Sequence, residues 1–147
     1  MFLIGFSSLF ACANKDSNTA SDSKTYRSLV EKHLDAIDQQ NLDYYLSTIS
    51  PDIIMITPNG TYLDNYEEVK AFHEKLFENK YKFNYKLIRE NVKPSLAYSV
   101  YDIDLEYPDE HGHIIHQLFH LNLTFEKQNE KWMLVHDQCT NVFKENK

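Results

Sequence analysis

The stretch from His113 to Asn141 leaves this chain the least freedom. It holds two apolar runs, Ile114–Phe125 and Trp132–Val135, separated by the polar connector Glu126–Lys131. Both runs have strand length and are rich in β-branched and aromatic residues. Gln128 and Asn129 in the connector suit a tight turn. The pattern predicts a long antiparallel hairpin. Its second strand runs on through His136-Asp137-Gln138-Cys139-Thr140 and so ends in polar groups.

A chain of 147 residues fits one domain with a real core. Its 42% hydrophobic content is that of a globular and not a disordered sequence. Ten Tyr and nine Phe imply aromatic packing around a core or cavity. The net charge of −7 argues against nucleic acid, which needs a basic face to neutralise phosphates.

Residues 1–11 form an uncharged run of apolar and small side chains. It is too short to span a bilayer as a helix but has the length of a signal-peptide core. Its end, Leu9-Phe10-Ala11-Cys12, resembles the lipobox of bacterial lipoproteins. That resemblance implies cleavage of the signal peptide and lipidation of Cys12. The protein would then be a membrane-anchored lipoprotein of a bacterial cell envelope, its domain outside the cytoplasm. Residues 13–24 contain no large apolar side chain, so burial cannot offset the entropy of ordering them. Residues 12–24 therefore read as a flexible, lipid-anchored tether. With Cys12 acylated, Cys139 has no partner for an intramolecular disulfide and reads as a small packed side chain.

Tyr26, Leu29, Val30, His33, Leu34 and Ile37 follow the spacing of one helix face, with Thr25 or Ser23 as cap. His33 on that face reads as a hydrogen-bonded core histidine. Asn41 opens a second helix over Leu42–Ile49, which must stop before Pro51. Asp52–Thr57 is a short apolar strand, Pro58-Asn59-Gly60 a turn, and Thr61–Leu63 a short return strand. Asp64 with Glu67, or Asn65 with Glu68, fits a capping box for a third helix. Tyr66, Val69, Phe72, Leu76 and Phe77 give that helix one apolar face. From Tyr81 the period becomes two, giving a strand over Tyr81–Leu87 and another within Leu96–Tyr107. The domain over residues 25–142 is thus α+β, and residues 143–147 are a C-terminal tail.

Two stretches carry a family resemblance: Ser50-Pro51-Asp52-Ile53-Ile54-Met55-Ile56-Thr57-Pro58-Asn59-Gly60-Thr61, and Lys131-Trp132-Met133-Leu134-Val135-His136-Asp137-Gln138-Cys139-Thr140. With the order of elements over residues 25–142, they resemble the nuclear transport factor 2-like (NTF2-like) superfamily. The likeness is to its SnoaL-like and ketosteroid-isomerase-like branch. The resemblance implies a cone: three N-terminal helices packed on a strongly curved antiparallel sheet, with a cavity at the open end. It also implies a homodimer through the outer sheet face. Members include isomerases, cyclases, dehydratases and binding proteins, so the fold does not choose a function. The carboxylate and tyrosine pair of the steroid isomerases has no residue-by-residue match here.

Asp137 and His120 are the candidate catalytic residues. A carboxylate at a cavity wall has a raised pKa and can move protons; a solvent-facing Asp cannot. A two-residue turn near Asn129 places His120 close to Asp137, as a general base with its orienting partner. A longer turn or a bulge puts them on opposite faces. Tyr45, Tyr62, Tyr101, Gln117 and Phe119 are the candidate cavity-lining, ligand-binding residues, with plain core packing the alternative for each. His111, His113 and His116 match no closed ligand pattern, so no metal and no cofactor is expected. Two functions remain open. One is a lipid-anchored domain that holds a small apolar or amphipathic molecule, dimerises, or both. The other is a cofactor-independent isomerase, cyclase or dehydratase.

Overall fold

The computed structural model describes the backbone of residues 13–143 and the side chains of residues 21–143. Cys12 and the apolar run before it lie outside the described residues, as do residues 144–147. In chain order the elements are α1 (Ala13–Asp38), α2 (Leu42–Ser47), β1 (Ile49–Ile56), β2 (Tyr62–Leu63), α3 (Tyr66–Phe77), β3 (Lys82–Val92), β4 (Leu96–Pro108), β5 (Ile114–Gln128) and β6 (Lys131–Asn141). One curved sheet has the order β2-β1-β6-β5-β4-β3, and the N-terminal helices pack on it. All neighbours are antiparallel except β1, which runs parallel to β6. The α+β cone expected from the sequence is present.

The helix caps follow the sequence. Asn41 Oδ1 accepts from Tyr44 N at 3.1 Å and opens α2. Asn65 Oδ1 accepts from Glu68 N at 3.0 Å, and Glu68 reaches back to Asp64 N at 3.3 Å. Of the two pairings the sequence allowed, the one built on Asn65 forms, with Glu68 reaching one residue past the N-cap.

Besides β3, which runs on to Val92 where Leu87 was expected to end it, three boundaries differ from expectation. First, α1 begins at Ala13, so residues 13–24 are helical where a polar tether was expected. Asp22 in that stretch meets Lys127 of β5 at 2.7 Å, with both side chains largely covered. A tertiary contact thus reaches this stretch near its C-terminal end, where composition alone offered none. Second, α2 stops at Ser47. There Thr48 Oγ1 donates to Tyr45 O at 2.6 Å. Third, β1 starts at Ile49 and runs through Pro51, which the pairing tolerates because the register with β6 shifts between Ile49 and Ile54.

The closed end of the cone is aromatic. The Tyr26 ring meets Phe125 and Trp132 edge-on at 5.6 and 5.5 Å. Its hydroxyl pairs with Ser99 on β4. His33 packs edge-on against Phe125 at 5.9 Å. It is buried and hydrogen-bonded as its helix position predicts: Nδ1 lies 2.7 Å from Thr48 Oγ1. The Thr48 hydroxyl proton is already given to Tyr45 O, so His33 Nδ1 is the donor in that bond.

Candidate functional site: an apolar cavity around Asp137

The β5–β6 hairpin decides what faces the interior. Gln128 pairs with Lys131, so the turn is the two residues Asn129 and Glu130, at φ 48° and 64°. Continued without interruption, that register would put Asp137 opposite Asn122, on the same outer face as His120. It is interrupted: Phe125 pairs with Leu134, but Thr124 pairs with His136. Val135 is therefore a bulge residue, and every position beyond it changes face. Trp132 and Leu134 point inward before the bulge, and Asp137 and Cys139 point inward after it.

The bulge separates the two expected catalytic residues. Asp137 pairs with the inward Leu123, whereas His120 sits on the outer face with Nδ1 2.9 Å from Asp102 Oδ1. The pairing of His120 with Asp137 is thus corrected: a one-residue slip puts them on opposite sides of the sheet. His116 shares that outer face and bonds Asp104 at 2.9 Å. Asp104, Glu106 and His116 bring ligand atoms within 4.8 Å of one another there. His116 is already bonded to Asp104, and Asn84 donates to Glu106 at 2.6 Å. His111 and His113 turn instead to Glu110 and Asp109.

Asp137 lines a cavity of about 300 Å³ between the sheet and α3. Its wall is mainly Ile37, Met55, Phe72, Leu76, Phe83 and Leu121, with Gln117 and Phe119 from the expected set. The other expected lining residues lie elsewhere. Tyr62 is exposed on β2, which pairs with β1 alone among the described residues. Tyr101 packs edge-on against Tyr85 at 6.0 Å and lines a separate cleft with Arg27 and Glu90. Tyr45 is fully buried behind the wall, its ring stacked on His73 at 3.9 Å.

The Asp137 carboxyl is 2% exposed. Its side-chain partner among the described residues is Cys139, whose Sγ donates to Oδ1 at 3.9 Å. Burial pushes its pKa up to about 7, and the weak thiol bond offsets little of that. Burial and the neighbouring carboxylate push the Cys139 thiol up as well, so it stays a protonated thiol, not a reactive thiolate. Burial and the same carboxylate also hold the Tyr45 hydroxyl neutral.

His73 was missed in the sequence. It stands four residues after Val69 and four before Phe77, on the apolar stripe of α3, and that spacing was its signal. Its ring lines the cavity. Nδ1 donates to Val69 O at 2.9 Å, and burial lowers its pKa to about 4. The ring is therefore neutral near pH 7, with its proton on Nδ1.

Residues 27–142 match the SnoaL-like domain family. The chain belongs to that family. Solved structures agree on the fold. A protein described as a candidate dehydratase of the NTF2-like family from Streptomyces avermitilis superposes with a TM-score of 0.74 at 14% identity, covering 86% of this chain and 99% of its own. An NTF2-like protein of unknown function from Pseudomonas putida gives 0.73 at 16% identity, over 87% and 91%. A conserved protein from Planctomyces limnophilus gives 0.73 at 17% identity, over 84% and 98%. At such identities the likeness is one of fold. No functionally curated protein matches the chain.

Proposed function

We propose that this SnoaL-like domain binds a small, mainly apolar molecule in its cone cavity. The observation that carries the reading is the cavity itself: about 300 Å³, walled by aliphatic and aromatic side chains, with one buried carboxyl group in the wall. That is the composition of a ligand pocket, apolar bulk with a few placed polar groups. Native mass spectrometry of purified protein tests it, together with titration of the uncharged fluorescent probe N-phenyl-1-naphthylamine. The expected result is saturable binding that Leu105→Trp weakens at least tenfold, because Leu105 is a partly buried wall residue that a larger ring would push inward. Saturable binding that ignores Leu105→Trp would place the probe elsewhere and sink the reading.

A second reading is supported by one feature. A carboxyl group with a pKa of about 7 in an apolar wall suits proton transfer at neutral pH. This is the cofactor-independent isomerase, cyclase or dehydratase reading, with Asp137 alone as the proton carrier. Binding is favoured because no histidine or tyrosine of the described residues hydrogen-bonds Asp137. Deuterium uptake from solvent into a bound ketone, lost in Asp137→Asn, would reverse that preference.

We also propose that the domain is held on a bacterial envelope through Cys12. The support is the apolar run ending in Leu9-Phe10-Ala11-Cys12. Among the described residues no helix is long and apolar enough to cross a membrane. Mass spectrometry of the membrane fraction should find an acylated Cys12 as the first residue; an unmodified Cys12 with Met1 retained refutes it. A homodimer through the outer sheet face is proposed on the exposure of Leu96 and Ile114, which stand on the face of β4 and β5 opposite the buried residues, and the same native spectrum reads it.

A further inference from the structure

The polar atoms of the cavity wall are mostly engaged already. Tyr81 Oη donates to Ile37 O at 2.7 Å. Thr57 Oγ1 donates to Asn59 Oδ1, and Gln117 Nε2 to Asn141 Oδ1 at 3.1 Å. Among the buried polar side chains of the wall, two groups stand apart. One is the Asp137 carboxyl, whose Oδ1 takes only the long thiol contact. The other is His73 Nε2.

His73 cannot switch roles. The carbonyl of Val69 only accepts, so it fixes the His73 proton on Nδ1 and leaves a lone pair on Nε2. Nε2 has no partner among the described residues, while the ring forms part of the cavity wall. Stacking on Tyr45 at 3.9 Å and edge contact with Phe77 at 5.6 Å fix the ring plane. The cavity thus holds a fixed acceptor on α3 and a carboxyl group on β6. Among the described residues no Lys or Arg lines it.

We propose that His73 is the specificity-determining acceptor of this cavity and that, with the Asp137 carboxyl as donor, it selects uncharged apolar molecules bearing a hydroxyl group, such as phenols or enols. The inference rests on the ligand-binding reading above and names its ligand class. A hydroxyl gives its proton to Nε2 and offers its oxygen to the carboxyl proton. A carboxylate ligand would meet a lone pair and an acidic group with no cation in the wall to offset its charge. A pure hydrocarbon would leave Nε2 and the carboxyl unpaired, losing affinity for the same reason that a site built to bond a hydroxyl rejects the analogue without one.

Three probes of one shape separate these cases: 2-naphthol, naphthalene and 2-naphthoate, titrated calorimetrically against the full chain at pH 6. The native protein should bind 2-naphthol about tenfold more tightly than naphthalene, the worth of one net hydrogen bond. It should bind 2-naphthoate most weakly. His73→Phe keeps the stacked ring but not the acceptor. It should close most of the gap, weakening 2-naphthol by the lost acceptor and sparing naphthalene the cost of an unpaired Nε2. His73→Gln, which returns an acceptor oxygen, should restore part of the gap. Nitrogen-15 spectra of the native protein provide a readout independent of variant folding: the His73 Nε2 resonance should move with 2-naphthol and stay with naphthalene. Equal affinity of 2-naphthol and naphthalene for the native chain overturns the inference and leaves apolar binding standing. A gap undiminished in a folded His73→Phe, or a stationary Nε2 resonance, also overturns it. Binding of none of the three removes the ligand-binding reading and this inference together.

Discussion

At the residue scale, Tyr45 is the side chain whose chemistry and surroundings disagree most. Its ring lies between His33 at 4.9 Å and His73 at 3.9 Å, and its hydroxyl is buried with no partner among the described residues. An unpaired buried hydroxyl costs roughly 1–3 kcal/mol. Tyr45→Phe should therefore leave stability unchanged or raise it by about 1 kcal/mol, read as the midpoint of urea unfolding. A loss of stability would mean that the hydroxyl is bonded in solution. Legibility at this scale was uneven. His33 could be placed from helical spacing alone, because its neighbours on that face are all apolar. Tyr62, Tyr101 and Tyr45 looked alike as aromatic residues with polar tips. Which of them reaches the cavity depends on the edge of a sheet, a cleft under α1 and the depth of α2, and none of these leaves a mark in local sequence.

At the element scale, the β5–β6 hairpin is both the most readable part of the chain and the part that hid the most. Its two strands and its turn follow from composition. The bulge at Val135 does not, because Trp132–Val135 is apolar throughout and shows no alternation for a slip to break. The parallel pairing of β1 with β6 was equally invisible, being a contact between distant segments. The turn itself yields a prediction. Asn129 and Glu130 both hold positive φ, the pairing of a type I′ turn, in which Asn-Gly is the favoured sequence. Asn tolerates this region and Glu does so only at a cost of about 1 kcal/mol. Glu130→Gly should raise stability by roughly that amount. The ion pair it removes, Lys127 with Glu130 at 3.6 Å, is exposed on the Glu side and contributes little. A destabilised Glu130→Gly, measured by urea unfolding, would mean that the turn does not hold this geometry in solution.

At the scale of the whole molecule, three buried titratable groups pull its acid stability in opposite directions. His33 and His73 are held neutral by burial, with pKa values lowered to about 3 and about 4 from 6.5. Below pH 6.5 the unfolded chain takes up protons that these rings refuse, so their contribution falls as pH falls. Asp137 acts the other way. Its folded pKa of about 7 lies above the 3.8 of an unfolded carboxyl, so the folded protein keeps a proton that the unfolded chain has lost. That contribution is full below about pH 4 and disappears as pH rises toward 7. Between about pH 4 and 6.5 two histidines oppose one carboxyl, leaving one net proton. The three groups then make stability rise with pH by roughly 1.4 kcal/mol per unit. Asp137→Asn removes the opposing proton and should about double that slope. It should match the native chain near pH 4 and exceed it above pH 7 by a few kcal/mol, roughly. His73→Phe should flatten the slope instead. Urea unfolding from pH 4.5 to 8, each variant against the native chain, tests both, because exposed groups common to the two proteins cancel in the difference. An Asp137→Asn curve parallel to the native one would show that the carboxyl ionises like a solvated one. Asp137 would then face water, and the apolar cavity would lose the buried acid at its centre.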